Sequence, residues 1–159
     1  MQLLKVKTGS RTPVLEDADA SLRQARFSPD DRSIAFRATR DGGATRLYVA
    51  PFHDQGPTPA QEWVPLTDGT GWESSPQWSP DGNLVYYVST RDGFHCVWVQ
   101  RLDSSRKPAG PPFAVLHLHA ARLVPVSLPM SAMDLWIGRD QILLSLGELT
   151  GNIWTAKVD

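Results

Sequence analysis

Trp72 and Glu73 form the residue pair whose types are best suited to binding a ligand. They follow a short glycine-containing segment, residues 67–71, that is typical of a loop. An exposed aromatic ring beside a carboxylate could stack on a peptide or a sugar and accept a hydrogen bond from it. The structural alternative is that the indole packs against a neighbouring unit of the fold, while the carboxylate pairs with backbone or with an arginine.

Two histidines, His117 and His119, have a spacing that suits metal ligands. On a strand, residues two apart point to the same side. A zinc site needs three or four ligands, and no third ligand is evident near the pair in the sequence. We therefore expect no metal and no other cofactor, with both histidines partly exposed on an outer strand.

Candidate nucleophiles are few. Ser28 and Ser79 are each followed by proline, where a hydroxyl commonly bonds the local backbone of a turn, and the sequence has no Gly-x-Ser-x-Gly motif. Cys96 is the only cysteine, which argues against an intrachain disulfide and a cysteine-based zinc site. It is expected to be a small buried packing residue rather than a reactive thiolate. These residues favour a protein that is not an enzyme.

An internal repeat organises the elements that must position these side chains. Residues 27–31 (Phe-Ser-Pro-Asp-Asp) reappear 51 positions later as residues 78–82 (Trp-Ser-Pro-Asp-Gly), Arg-Asp-Gly recurs at 40–42 and 91–93, and a weaker third copy begins at 135. The recurring motifs have turn chemistry, and the runs between them are rich in β-branched and aromatic residues. The repeat predicts almost no helix. Strands are expected at 23–28, 33–39, 46–52, 62–66, 75–79, 84–89, 96–101 and 112–117, with a last set near 132–137, 141–146 and 152–158.

Four strands in a period of about 50 residues match one blade of a β-propeller. Residues 27–52 and 78–102 resemble the TolB-like, WD-like repeat of bacterial β-propellers, in which the aromatic-Ser-Pro-Asp-Gly turn joins the first two strands of a blade. The resemblance implies an all-β fold of four-stranded antiparallel blades, about three per chain, and hence half of a six-bladed ring. The expected units are residues 1–15 (terminal strands completing another blade), 16–67 and 68–119 (blades), and 120–159 (an incomplete last blade).

The same resemblance brings several loops to one face, around the mouth of the channel. The loops before the first strand and between the second and third strands of each blade lie on this face. The ligand-binding candidates there are Arg40, Trp72, Glu73, Arg91, Asp92 and Glu148. The apolar, proline-broken segment 120–131 departs from the repeat. It is expected either to cover the channel mouth or a neighbouring blade, or to contact a partner.

Composition argues against other classes of partner. The chain has 159 residues, with 16 Lys and Arg against 17 Asp and Glu, and a formal net charge of −1. A near-neutral chain has no general attraction to nucleic acid or to an anionic membrane surface. No run approaches the ~18 apolar residues of a membrane span, and the first seven residues are broken by charge, unlike a signal peptide. We expect a soluble, cytoplasmic protein.

An open stack of three blades would leave two apolar faces in water. The chain could therefore be a fragment of a larger protein, assemble with itself, or use a different partner to cover these faces. The strand count favours homodimerisation, in which the N-terminal strand at 11–15 completes the last blade of a second copy and gives six blades in a two-fold ring. Residues 1–7 would then form a surplus strand. The expected function is a noncatalytic interaction module that binds a protein, a peptide or a small ligand at the channel face. The alternatives are the propeller part of a hydrolase or lyase, peptidase-like or sugar-lyase-like, and a fragment of a larger regulatory or sensor protein.

Overall fold

A computed structural model of the protein describes residues 1–40, 43–119, 123–124 and 135–148. These residues form strands and turns with no α-helix among them, and therefore no helix able to cross a membrane. A short 3₁₀ turn spans Ala60–Glu62. The strands are β1 (Gln2–Leu4), β2 (Arg11–Pro13), β3 (Ala20–Phe27), β4 (Ser33–Arg40), β5 (Thr45–Pro51), β6 (Val64–Pro65), β7 (Glu73–Trp78), β8 (Leu84–Ser89), β9 (Cys96–Arg101), β10 (Phe113–Leu116), β11 (Leu123–Val124), β12 (Leu135–Ile137), β13 (Ile142–Leu144) and β14 (Gly147–Glu148).

Two four-stranded antiparallel sheets contain most of these strands. The first sheet has the order β3-β4-β5-β6, and the second has the order β7-β8-β9-β10. The all-β class and the eight strands predicted for these two units are confirmed, although β3 begins at Ala20 rather than at residue 23, and β6 has only two residues. The strand predicted at 152–158 lies outside the described residues, as does most of the segment 120–131.

The N-terminal residues form a hairpin of their own. Gln2–Leu4 pairs antiparallel with Arg11–Pro13, and Leu15 forms a parallel bridge with Thr58 of the first unit. The expected surplus strand at residues 1–7 therefore has a partner within the chain. Two further small sheets, β12–β13 and β11–β14, belong to the last unit.

The Ser-Pro-Asp turns hold the first two strands of each sheet together. Ser33 N–H donates to Ser28 Oγ at 2.9 Å, and Leu84 N–H donates to Ser79 Oγ at the same distance. Each hydroxyl satisfies a backbone donor at the start of the second strand. The prediction that both serines serve the local backbone is confirmed.

A β-bulge interrupts the first strand of both sheets at equivalent positions. It lies within residues 23–26 of β3 and within residues 74–77 of β7. Gln24 and Ser75, which are 51 residues apart, have φ of 56° and 53°. Ser75 N–H donates to Gln24 Oε1 at 3.0 Å, so the two sheets repeat the same irregularity and touch at it.

Apolar side chains fill the space between the two sheets. Ala35, Leu47 and Val49 of the first sheet pack with Val85 and Tyr87 of the second, and each is 1% exposed or less. A second cluster covers the opposite face of the first sheet with residues 14–15, and a third covers the opposite face of the second sheet with residue 135. Stacking of units along the chain therefore supplies the core.

Candidate functional site at the loop end of the sheets

The loop end, defined as the end of the two sheets at which β3 and β7 begin, collects the polar side chains of interest. Because the strands are antiparallel, the β4–β5 and β8–β9 turns and the end of β10 lie at this same end. The predicted site residues located there are Arg40, Trp72, Glu73, Arg91 and Asp92. Glu148 is the last residue of β14, and its side chain lies outside the described part of the chain.

Glu73 is the first residue of β7 and is 0% exposed, rather than lying in an exposed loop. Thr67 Oγ1–H donates to Glu73 Oε2, whereas Oε1 is buried without a hydrogen-bond partner. Glu73 N–H donates to Thr45 Oγ1 on β5 at 2.6 Å. Burial raises the pKa of Glu73 to about 7, even though the Thr67 hydrogen bond acts to lower it. Glu73 therefore connects the two sheets and titrates near neutral pH.

Two arginines and an aspartate surround this buried carboxyl. Arg91 Nη2 lies 3.4 Å from Asp68 Oδ2, and Arg46 Nη2 donates to the Asp68 carbonyl oxygen at 2.6 Å. Hydrogen bonds from Thr70 lower the pKa of the Asp68 carboxyl. Arg91 Nη1 also donates to Tyr87 Oη at 3.4 Å, and burial raises the pKa of Tyr87 to about 12. Arg46 and Arg91 thus bring two guanidinium charges near the buried carboxyl of Glu73, and Asp68 brings one exposed carboxylate. The Glu73 carboxyl is the member of this set that can change its charge near neutral pH.

Trp72 is half-buried and packs against the cluster formed by Val88, Val97 and Leu135. Its indole ring lies 5.4 Å from the imidazole of His95, whose pKa burial lowers. The indole therefore packs on its own sheet and against Leu135 of the last unit, and presents only part of its surface to solvent.

Arg40 lies at the loop end of the first sheet. Its Nη2 donates to Asp17 Oδ2 at 2.7 Å. A pocket of about 190 Å³ lies beside it, with Arg46 and Tyr48 among the lining residues.

Four side chains meet where the β8–β9 turn approaches the end of β10, and we call them the four-residue cluster: Asp92, Cys96, His117 and His119. One candidate ligand atom from each lies within 4.8 Å of the other three. His119 Nε2 lies 3.2 Å from Asp92 Oδ2 and 3.2 Å from His117 Nδ1, and His117 Nδ1 lies 3.5 Å from Asp92 Oδ2. The histidine pair therefore has two neighbours that could bind a metal with it.

Burial and local hydrogen bonds set the acidity of two members of this cluster. Burial acts to raise the pKa of Asp92, but hydrogen bonds from the Phe94 N–H and from His119 prevail and lower it. Burial raises the pKa of the Cys96 thiol. Asp92 is thus a carboxylate, next to a thiol that is fully buried.

Aromatic rings border the four-residue cluster. Phe94 stacks on the imidazole of His119 at 4.3 Å, and Trp98 lies edge-on to His117 at 6.4 Å. The guanidinium of Arg91 lies over Trp98 at 5.1 Å. The cluster and the arginine–aspartate group around Glu73 are therefore neighbours at the loop end.

The spacing of His117 and His119 indicated that the two histidines could share a ligand, and Asp92 was predicted to lie on the loop face. No sequence pattern placed Cys96 beside these three residues. One available signal was the antiparallel pairing of two predicted strands, 96–101 and 112–117. Pairing of consecutive antiparallel strands places the first residues of one opposite the last residues of the other. Thr67, Arg46 and Tyr87 were also missed, because their roles depend on contacts around a carboxyl that the sequence does not mark as buried.

Comparison with known proteins shows a partial similarity to a longer protein. No protein-family model matches the chain. A 92-residue stretch, 57% of the chain, is 35% identical to the uncharacterized peptidase YuxL of Bacillus subtilis (strain 168). The chain covers 13% of the length of that protein. The similarity therefore relates this chain to a small part of a longer polypeptide.

Proposed function

We propose that the chain contributes three blades to a six-bladed β-propeller of the TolB-like, WD-like type, pairs with a second copy to close the ring, and binds a protein or peptide at its loop end without catalysing a reaction. The first and second sheets are two complete blades. Their recurrence after 51 residues, including the bulges at Gln24 and Ser75, supports treating them as copies of one unit.

The third blade is assembled from two half-sheets. β12–β13 of one copy supplies the first two strands, and β1–β2 of the other copy supplies the last two. All four strands are three residues long. Within the described residues, β1 and β13 are each hydrogen-bonded along one edge only. Pairing these two edges gives a four-stranded blade that uses both N-terminal strands in place of the strand expected at 152–158, so that two copies form six blades.

Exposed apolar side chains on the half-sheets are the observation that carries this proposal. Val6 is 91% exposed and Leu143 is 69% exposed. Val6 lies in the turn between β1 and β2 and Leu143 lies on β13, and apolar groups this accessible favour a protein interface. The exposed large apolar residues on or beside the half-sheets are Leu4, Val6, Trp136, Ile142, Leu143 and Leu146.

Arginines define the binding surface at the loop end. Arg40 and Arg46 line the pocket there, and the side chain of Arg40 is 50% exposed. A guanidinium pairs with a carboxylate through two parallel hydrogen bonds, and Tyr48 in the same pocket offers an aromatic surface. The partner class that fits is a protein segment or peptide bearing acidic side chains.

Light scattering after gel filtration tests the ring. The wild-type chain should have twice the mass of the 17.6 kDa monomer. Leu143→Glu should give a folded monomer, because a charge on this half-sheet cannot be buried in a blade. Val115→Glu is the matched control, since Val115 is an exposed apolar strand residue (41%) outside the half-sheets, and it should remain a dimer. A stable, folded wild-type monomer would refute ring closure by two copies.

Peptide binding is tested by fluorescence anisotropy with labelled acidic peptides. Arg40→Glu and Arg46→Glu should each weaken binding at least tenfold. Arg101→Glu is the control, because Arg101 is an exposed arginine at the last residue of β9, away from the loop end. Equal weakening by the control, or no binding of any acidic peptide by the dimer, would reject the loop end as a peptide site.

The partial similarity to a peptidase favours a second candidate, in which the chain is the propeller part of a hydrolase. The remaining blades and the catalytic residues would then belong to the same, longer polypeptide. The intact mass of the product isolated from its native host separates the two candidates. A product of 17.6 kDa supports the homodimer, whereas a much larger product supports the second candidate, the propeller part of a hydrolase.

A further inference from the structure

We propose that the four-residue cluster is a zinc site in which Asp92, Cys96, His117 and His119 supply all four ligands. This inference concerns a metal, and it stands apart from the proposed ring and its peptide ligand. It gives the two histidines the third and fourth ligands that the sequence did not reveal.

The distances among the donor atoms match the edges of a coordination tetrahedron. A zinc ion bound to nitrogen and oxygen at ~2.0–2.1 Å requires ligand atoms about 3.3–3.4 Å apart. The three separations among His117 Nδ1, His119 Nε2 and Asp92 Oδ2 are 3.2, 3.2 and 3.5 Å. Cys96 Sγ completes the set within 4.8 Å of each of them. The sulfur would have to approach the other three atoms to bind the same ion.

The positions of the imidazole hydrogens differ between hydrogen bonding and metal binding at this cluster. Asp92 is a carboxylate and only accepts, so His119 Nε2–H can donate to it at 3.2 Å while His117 Nδ1, which faces His119 Nε2, carries a lone pair. A zinc ion would take a lone pair from both nitrogens, and each imidazole would then carry its hydrogen on the other ring nitrogen. Zinc titration distinguishes the two arrangements.

The chemistry of the donors favours zinc over calcium and magnesium. Calcium and magnesium prefer oxygen ligands, whereas one thiolate, two imidazoles and one carboxylate suit zinc. Four protein ligands fill a tetrahedral shell and leave no open position for a substrate, as in structural sites. Leu118 N–H donates to Cys96 Sγ at 3.5 Å, an outer contact of the kind that stabilises a metal-bound thiolate.

The sheet positions the four ligands on neighbouring segments. Cys96 begins β9, and Asp92 lies in the turn just before it. A bulge in the β9–β10 pairing, between Ala114 and Leu116, shifts the end of β10 before the two histidines. The zinc ion would therefore fasten the β8–β9 turn to the segment after β10. The side chains of His117 and His119 are 56% and 46% exposed, which gives the ion a path of entry.

Zinc titration of the 159-residue chain, stripped with a chelator, tests the proposal in competition with a chromophoric zinc indicator. The wild type should bind one zinc ion per chain. Cys96→Ser and His119→Asn should each weaken binding at least 100-fold. His53→Asn is the matched control, because His53 is an exposed histidine that contacts the carboxylate of Glu62 at 3.1 Å, much as His119 contacts Asp92; this variant should bind like the wild type.

Cobalt substitution provides a readout that needs no variant. A wild-type chain loaded with Co²⁺ should show the visible bands of a tetrahedral ion and a near-ultraviolet thiolate-to-cobalt charge-transfer band. Absence of that band excludes Cys96 as a ligand and overturns the proposal. Zinc binding that persists in Cys96→Ser and His119→Asn, or that His53→Asn reduces equally, also overturns it, as does no zinc binding by a chain with a native near-ultraviolet circular dichroism spectrum. Ring closure and peptide binding are measured separately, so either proposal can fail alone.

Discussion

Replacing Glu73 with glutamine isolates the effect of a carboxyl buried between the two sheets. The pKa of Glu73 is raised from 4.5 to about 7 in the folded chain, chiefly by burial. The folded state therefore holds this proton more tightly than the unfolded state does. Its stabilising contribution is complete below pH 4.5 and is lost as the pH rises through 7. Glutamine has a similar shape and does not titrate, so the variant lacks this dependence.

The size of the effect follows from the two pKa values of Glu73. A difference of about 2.5 units corresponds to about 3.4 kcal/mol, of which about 2.5 kcal/mol is lost between pH 5 and pH 8. The side chain is 0% exposed, so screening by water is small. Glutamine and protonated glutamate can also differ in their effect on the free energy of unfolding by an amount that does not depend on pH, for example at the Oε1 position, which has no hydrogen-bond partner. This difference cancels when the free energies of unfolding at the two pH values are subtracted.

Urea unfolding followed by tryptophan fluorescence measures this prediction. The free energies of unfolding of wild type and Glu73→Gln are compared at pH 5, 6, 7 and 8 and at one protein concentration. The wild type should lose about 2.5 kcal/mol relative to the variant across this range. Glu16→Gln, at an exposed glutamate, serves as the control and should follow the wild type. Parallel pH profiles for wild type and Glu73→Gln would show that the carboxyl is ionised in the folded chain and refute the reasoning.

Two further substitutions test packing at the loop end and between the two sheets. A methyl group at Gly71 would lie 2.7 Å from the backbone nitrogen of Arg91, so Gly71→Ala should lower the free energy of unfolding by about 1–3 kcal/mol. Gly138→Ala is the control: the nearest contact of its methyl group would be 3.6 Å, so its free energy of unfolding should be unchanged. Trp78 Nε1–H donates to the Arg26 carbonyl oxygen of the first sheet at 3.0 Å, so Trp78→Phe should cost about 1–2 kcal/mol. The free energies of unfolding of Gly71→Ala and Trp78→Phe are measured in urea. A value equal to that of the wild type in either of these two variants would contradict the corresponding contact.

Much of the fold could be predicted because its determinants are local. The serine of each Ser-Pro-Asp turn bonds a backbone N–H five residues later, at Ser33 and Leu84. A motif of this kind encodes its own geometry, and its recurrence after 51 residues revealed the repeat. The strands between the turns followed from β-branched and aromatic composition.

The candidate site was less accessible to prediction, because its properties arise from packing between units. Glu73 looked like an exposed loop carboxylate but is buried against Thr45 of the first sheet, 28 residues away. Cys96 looked like an isolated packing residue, yet the pairing of β9 with β10 brings it to His117 and His119. The surroundings of Glu73 and of Cys96 each combine segments that are distant in the sequence. No local sequence pattern therefore predicts them.

The sequence by itself determined the all-β class, the Ser-Pro-Asp turns and the positions of most strands. The tertiary structure decided which faces are buried, that Gln2–Leu4 pairs with Arg11–Pro13, and which side chains meet at the loop end. The physical reason lies in the range of the interactions. Turn geometry and strand propensity act over a few residues, whereas desolvation of Glu73 and assembly of the four-residue cluster require whole sheets to stack and pair.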